Sequence, residues 1–137
     1  MTLAIDRFDH IVLNVADVEV SAAWYAEVLG MLREDFASRS GRRVAMRFGR
    51  QKINLRPVDA DAVAWFTGVH PVAGSDDLCF ITEHPPEQVV AHLQVMRVHI
   101  EAGPVERAGA LGPMTSVYCR DPDGNLIEIA WYPPADA

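Results

Sequence analysis

Along the first 57 residues the apolar positions pass from alternation to helical spacing and back to alternation. From Phe8 to Val15 every second residue is apolar and branched residues dominate, so Ile11, Leu13 and Val15 share one face of a predicted strand. Asp17 then stands where a helix N-cap belongs, with Val20, Ala23, Trp24 and Val28 following at helical spacing. Gly30 falls just past the end of that run, where a left-handed residue closes a helix. Three more strands are predicted at about Leu32–Ala37, Arg43–Phe48 and Lys52–Arg56, punctuated by Gly41 and by Gly49-Arg50.

The stretch from Pro57 to Ser75 breaks the periodicity and reads as a connector. After it the order recurs. Asp77–Thr82 predicts a strand, and Pro85-Pro86 opens a helix carried on by Val89, Val90, Leu93 and Met96-Arg97. Strands follow at about His99–Gly103, Thr115–Arg120 and Asn125–Trp131, the last two joined by the turn Asp121-Pro122-Asp123-Gly124. The pattern is strand–helix–three strands, twice, an α+β chain with an internal repeat. The expected modules are 5–57 and 75–132, with 58–74 between them, in a single domain over 1–137. Two such modules would set their sheets side by side with the helices outside, leaving a concave face where a small molecule can bind.

At 137 residues and 15.1 kDa, half of it apolar, the chain suits one globular domain and not a disordered segment. No apolar run approaches the roughly 18 residues a membrane span needs. The net charge of -7 argues against nucleic acid, and the one dense basic cluster, Arg39, Arg42, Arg43, Arg47 and Arg50, reads as a solvated hairpin. Cys79 and Cys119 lie in apolar strand-like runs without a CxxC spacing and read as small buried hydrophobes. The first residues lack the basic and apolar regions of a leader, which predicts a cytoplasmic location.

Period-two alternation decides which side chains share a face. With Ile11, Leu13 and Val15 against the helix, His10, Val12 and Asn14 turn to the other side. Ile53 and Leu55 likewise turn Asn54 and Arg56 away, and Leu78 and Phe80 turn Asp77, Cys79 and Ile81 away. Ile127 and Ile129 leave Leu126, Glu128 and Ala130 on the opposite face. A carboxylate between isoleucines is costly to bury unless it is paired or ligates a cation, which singles out Glu128. The repeat maps His10 onto Asp77 and Asn54 onto Glu128. A histidine, two carboxylates and an amide form a mixed N/O set of the kind that divalent cations accept.

Asp9-His10-Ile11-Val12-Leu13-Asn14-Val15-Ala16-Asp17, with Trp24-Tyr25 and Val28-Leu29-Gly30-Met31, resembles the first module of the vicinal oxygen chelate superfamily. That superfamily includes glyoxalase I, bleomycin-resistance proteins, fosfomycin-modifying enzymes and extradiol dioxygenases. Tyr118–Glu128 resembles the closing hairpin of its second module. Gln51-Lys52-Ile53-Asn54-Leu55 and Gly74–Phe80 resemble its glyoxalase-like "virulence protein" branch more narrowly.

The resemblance implies paired βαβββ modules, often as a homodimer, with a divalent metal (Mn, Fe, Ni, Zn or Mg) chelated by neighbouring oxygens of a small-molecule substrate. Carried over by position, its metal ligands fall on His10, Asp77 and Glu128, with Glu128, or else Asp77, also the catalytic carboxylate. Asn54, Arg56, Ser116 and Tyr118 are the expected substrate-binding residues. Arg56 stands where the narrower branch often has histidine, and it either neutralises Glu128 or anchors an anionic substrate. One well-placed histidine is too few for extradiol iron chemistry, which needs two histidines and a carboxylate. Lyase or isomerase chemistry fits better. The alternative is a protein that holds a small molecule without transforming it.

Overall fold

The computed structural model describes residues 1–135. The chain divides into two compact units, Met1–Ala73 and a second beginning at Gly74. Unit 1 contains β1 (His10–Val15), α1 (Val18–Leu29), β2 (Leu32–Ser38), β3 (Gly41–Phe48) and β4 (Gln51–Pro57). Its sheet has the order β1-β4-β3-β2, with β1 parallel to β4 and the other pairs antiparallel. Unit 2 repeats this with β5 (Asp77–Ile81), α2 (Pro86–Val95), β6 (Ala102–Gly109), β7 (Gly112–Arg120) and β8 (Leu126–Trp131), in the order β5-β8-β7-β6. Each unit is a βαβββ module.

The ends of α1 follow from its sequence. The Asp17 carboxylate accepts from the Val20 N–H at 3.1 Å, satisfying a donor that the first turn leaves open. At the other end Gly30 adopts φ 67°, a left-handed conformation that glycine takes without steric cost. Ser21, Ala22, Tyr25 and Val28 are buried, while Val20 and Ala23 are exposed, so the packed stripe is rotated from the expected one. The core beneath α1 comprises Leu13, Val15, Val44, Met46, Ile53 and Leu55. Each such side chain removed from water is worth roughly 2 kcal/mol.

In unit 2, Val89 and Leu93 of α2 are buried, as are Val117, Cys119, Ile127 and Ile129 of the sheet. The Asp121–Gly124 turn is held by a buried carboxylate. Asp121 accepts from the backbone N–H groups of Asp123 and Asn125 and from the Asn125 side-chain amide. Asn125 Oδ1 in turn accepts from Asp76 N at 2.8 Å, which ties the start of β5 to this hairpin.

Three expectations are corrected. The strand expected at His99–Gly103 begins at Ala102 and runs to Gly109. Pro104 lies inside it because β6 is an edge strand, where proline costs no ladder bond, and its register shifts between Ala102 and Val105. The second helix ends at Val95, because Arg97 takes a positive φ of 57°. Cys119 is buried as expected but Cys79 is exposed, since β5 turns it to the face away from α2.

Candidate functional site

The face of unit 2 turned away from α2 gathers Asp77, Cys79, Glu128, Ser116 and Tyr118. Strand pairing puts them there: Glu128 lies directly beside Cys79 on one flank and Tyr118 on the other. The fully buried Ser116 hydroxyl donates to Glu128 Oε2 at 2.5 Å, a short charge-assisted bond. Arg107 of β6 donates from Nε to the Tyr118 hydroxyl at 3.0 Å. That oxygen is therefore an acceptor toward Arg107 and keeps its own proton to offer. Burial raises the Tyr118 pKa; the Arg107 bond opposes the rise and the charge of Glu128 adds to it. The Cys79 thiol is pushed up to about 11, first by burial and then by the charges of Glu128 and Asp77. Both hydroxyl and thiol thus stay protonated at neutral pH beside a carboxylate that Ser116 holds in place.

The corresponding face of unit 1 carries an excess of cations, with Glu34 of β2 paired to Arg47. It presents His10, Val12 and Asn14 from β1, Lys52, Asn54 and Arg56 from β4, and Arg43, Ala45 and Arg47 from β3, as the register requires. His10 is exposed, with Nδ1 2.8 Å from Asp9 Oδ2. Asn54 is buried, and its Oδ1 has no hydrogen-bond partner. Arg56 is 1% exposed. Its guanidinium donates to Asn14 Oδ1 and to the carbonyls of Pro57, Val58, Ala60 and Trp65, which fastens the connector to the sheet. Trp65 is pinned accordingly, while its neighbour Phe66 is 85% exposed.

The expected residues thus fall as two sets. Unit 2 brings Asp77, Ser116, Tyr118 and Glu128 to one face, and unit 1 does the same for His10, Asn54 and Arg56. Among the described residues no three His, Cys, Asp or Glu side chains stand close enough to hold a metal ion. His10 has its Nδ1 on Asp9, Glu128 has one oxygen on Ser116, and the Cys79 thiol holds its proton tightly. Neither unit by itself brings three such ligands together among its described residues. Sequence reasoning missed Arg107, because the strand that carries it was bounded too early. It also left Cys79 without a role, although its pairing with Glu128 follows from the parity of β5 and β8.

Comparison with known proteins matches residues 7–129 to the model of the Glyoxalase/Bleomycin resistance protein/Dioxygenase superfamily. The chain belongs to that superfamily. It is 45% identical over 130 residues to "Virulence protein STM3117" of Salmonella typhimurium, covering 95% of this chain and 87% of that one. It is 38% identical over 133 residues to "Glyoxalase domain-containing protein RDO1" of Mycosarcoma maydis, covering 97% and 72%. A solved structure from the mobile metagenome of V. Pseudocholerae superposes with a TM-score of 0.91 at 41% identity, covering 98% of this chain and all of that one.

Proposed function

We propose that this protein is a glyoxalase-type lyase or isomerase that moves a proton on a small substrate with neighbouring oxygens, using Glu128 as the base. The observation that carries this reading is the setting of Glu128. Its carboxylate is oriented by Ser116 and flanked by the protonated Tyr118 phenol. A proton α to a carbonyl passes to Glu128, and the phenol donates to the oxyanion that develops. Arg107, already bonded to the phenol oxygen, favours that donation by withdrawing charge from it. Asp77 adds negative charge at the edge of the site. Arg56, with its donors engaged by the protein, holds the connector against the sheet of unit 1.

The test is solvent-proton exchange. The protein is incubated in D2O with hemithioacetals of α-oxoaldehydes and with α-hydroxyketones, and deuterium at the α carbon is followed by NMR. Exchange that falls about 100-fold or more in Glu128→Gln is the expected result, the usual worth of a positioned base. Undiminished exchange in that variant sinks the assignment. An amide and a cation at positions 54 and 56, Asn54 and Arg56, also suit a second reading, a protein that binds a small molecule without converting it. Saturable binding with no exchange in any substrate would mark that case. We further propose that the chain works as a homodimer in the cytoplasm, with neither nucleic acid nor a membrane as partner. No helix among the described residues is long and apolar enough to cross a membrane.

A further inference from the structure

Unit 1 carries a run of cations interleaved with aromatic rings that the Glu128 chemistry does not use. Lys52 Nζ sits 4.4 Å from the centre of the Phe36 ring. Phe36 is directly paired across strands with Arg43. The Arg43 guanidinium lies 3.8 Å from the centre of the Trp65 ring, and that of Arg56 lies 5.8 Å from the same ring. Three permanent cations and two rings therefore form one contiguous cluster. Among the described residues no carboxylate makes an ion pair with any of the three, although Arg33, Arg47 and Arg120 all have such partners. Arg56 is buried with neutral partners alone. Asp9 feels the charge of Lys52, but like charges gathered on a partly desolvated face with no carboxylate in contact raise the potential there, and an anion lowers it.

Two orphaned groups mark the same face. Arg43 donates through Nη2 to Ser40 Oγ at 3.0 Å, yet its Nε is buried without an acceptor. Asn54 stands across from Ala45, two residues along β3 from Arg43, and is 8% exposed with Oδ1 unpartnered. A buried polar group left unmatched is costly, so each calls for a complementary atom. An anionic oxygen serves Arg43, and a hydroxyl serves Asn54.

We propose that Lys52, Arg43 and Asn54 form an anion-binding subsite of unit 1 that takes the carboxylate or phosphate end of a small hydroxylated ligand. Lys52 supplies a mobile point charge. Arg43 supplies a directed donor held in place by Trp65, and Asn54 accepts from the ligand hydroxyl. The inference stands on unit 1 alone and does not depend on Glu128 being a base.

Thermal unfolding and calorimetric titration of the full chain test it, with sodium malate, inorganic phosphate and the neutral 1,2-propanediol at matched ionic strength. A ligand that binds the folded state raises the Tm in proportion to its occupancy. Malate, phosphate or both should raise the Tm, the pattern telling which anion is preferred, while the diol alone leaves it unchanged. Arg43→Gln and Lys52→Met should each weaken anion binding tenfold or more. Arg47→Gln, whose guanidinium is held by Glu34, should bind as the parent does. Arg43→Lys should recover part of the loss. Glu128→Gln should abolish exchange chemistry yet keep the anion response. If neither anion shifts the parent, or if Arg43→Gln and Lys52→Met respond like the parent, the subsite does not exist. Loss of the anion response in Glu128→Gln would also overturn it, since the anion would then bind in unit 2. Should Arg43→Gln fail to fold, Lys52→Met, which keeps the aliphatic stem, decides alone.

Discussion

Cys79 is exposed as a residue, yet its partly desolvated thiol is a poor nucleophile. Burial and the neighbouring charge of Glu128 hold its pKa at about 11 against an ordinary 9.0, so at pH 8 it carries about a hundredfold less thiolate than an unperturbed cysteine. Iodoacetamide should label it slowly in the native protein. Glu128→Gln removes one of the two charges that hold it up and should speed labelling severalfold. A Cys79 that labels at the rate of a free thiol in the parent would contradict the placement of Glu128 beside it. Cys119 is likewise raised to about 11, by burial first and then by the charge of Asp121. A raised thiol pKa favours the folded state below the unfolded value and loses that contribution as pH climbs from about 9 toward 11. For the fully buried Cys119 the loss is at most about 2–3 kcal/mol. Urea titrations should show stability falling across that interval in the parent and falling less in Cys119→Ala. Arg56 has the opposite character, a buried cation whose worth lies in the connector it ties down. Arg56→Met should lower stability by about 3 kcal/mol or more and expose residues 58–73 to limited proteolysis.

At the scale of the element, two side-chain caps account for where the chain turns. Asp17→Ala should cost about 1 kcal/mol, because the Val20 N–H loses its acceptor. Asp121→Ala should cost about 3 kcal/mol, since three donors inside unit 2 lose one carboxylate and the β7–β8 hairpin loses its anchor. Chemical denaturation checks both, and a cost for Asp121→Ala no larger than for Asp17→Ala would show the hairpin to be held by other contacts. These caps were legible in the sequence, as were the strands whose alternation was unbroken. The parity that turned Glu128, Cys79 and Asp77 to one face held through β5 and β8 because both strands run without a bulge. What the sequence hid was tertiary. The run of β6 on to Gly109 was hidden because nothing local says that it is an edge strand, where Pro104 is tolerated. Arg56 read as a pocket residue because the carbonyls it binds sit on a connector without periodicity. The Lys52–Phe36–Arg43–Trp65 cluster draws on three strands and that connector, a convergence that no local window contains.

Across the whole molecule, charge is divided unevenly. Residues 1–73 hold nine Lys or Arg and nine Asp or Glu, whereas residues 74–137 hold three and ten, so the net charge of -7 belongs to the second stretch. The same division runs through the functional faces, cationic in unit 1 and carboxylate-bearing in unit 2. A superfamily whose members often use metals is here represented by a chain with Asn54 and Arg56 on β4 and no three-ligand cluster among its described residues. The central claim is that Glu128 moves the proton without a metal. Proton exchange on the chelator-stripped protein, before and after adding back Mn²⁺, Ni²⁺, Zn²⁺ or Mg²⁺, tests this most directly, with Glu128→Gln and His10→Ala beside the parent. The account predicts exchange in the stripped parent, little change on adding metal, near-parent exchange in His10→Ala and none in Glu128→Gln. Exchange that appears on metal addition and vanishes equally in His10→Ala and Glu128→Gln would contradict it.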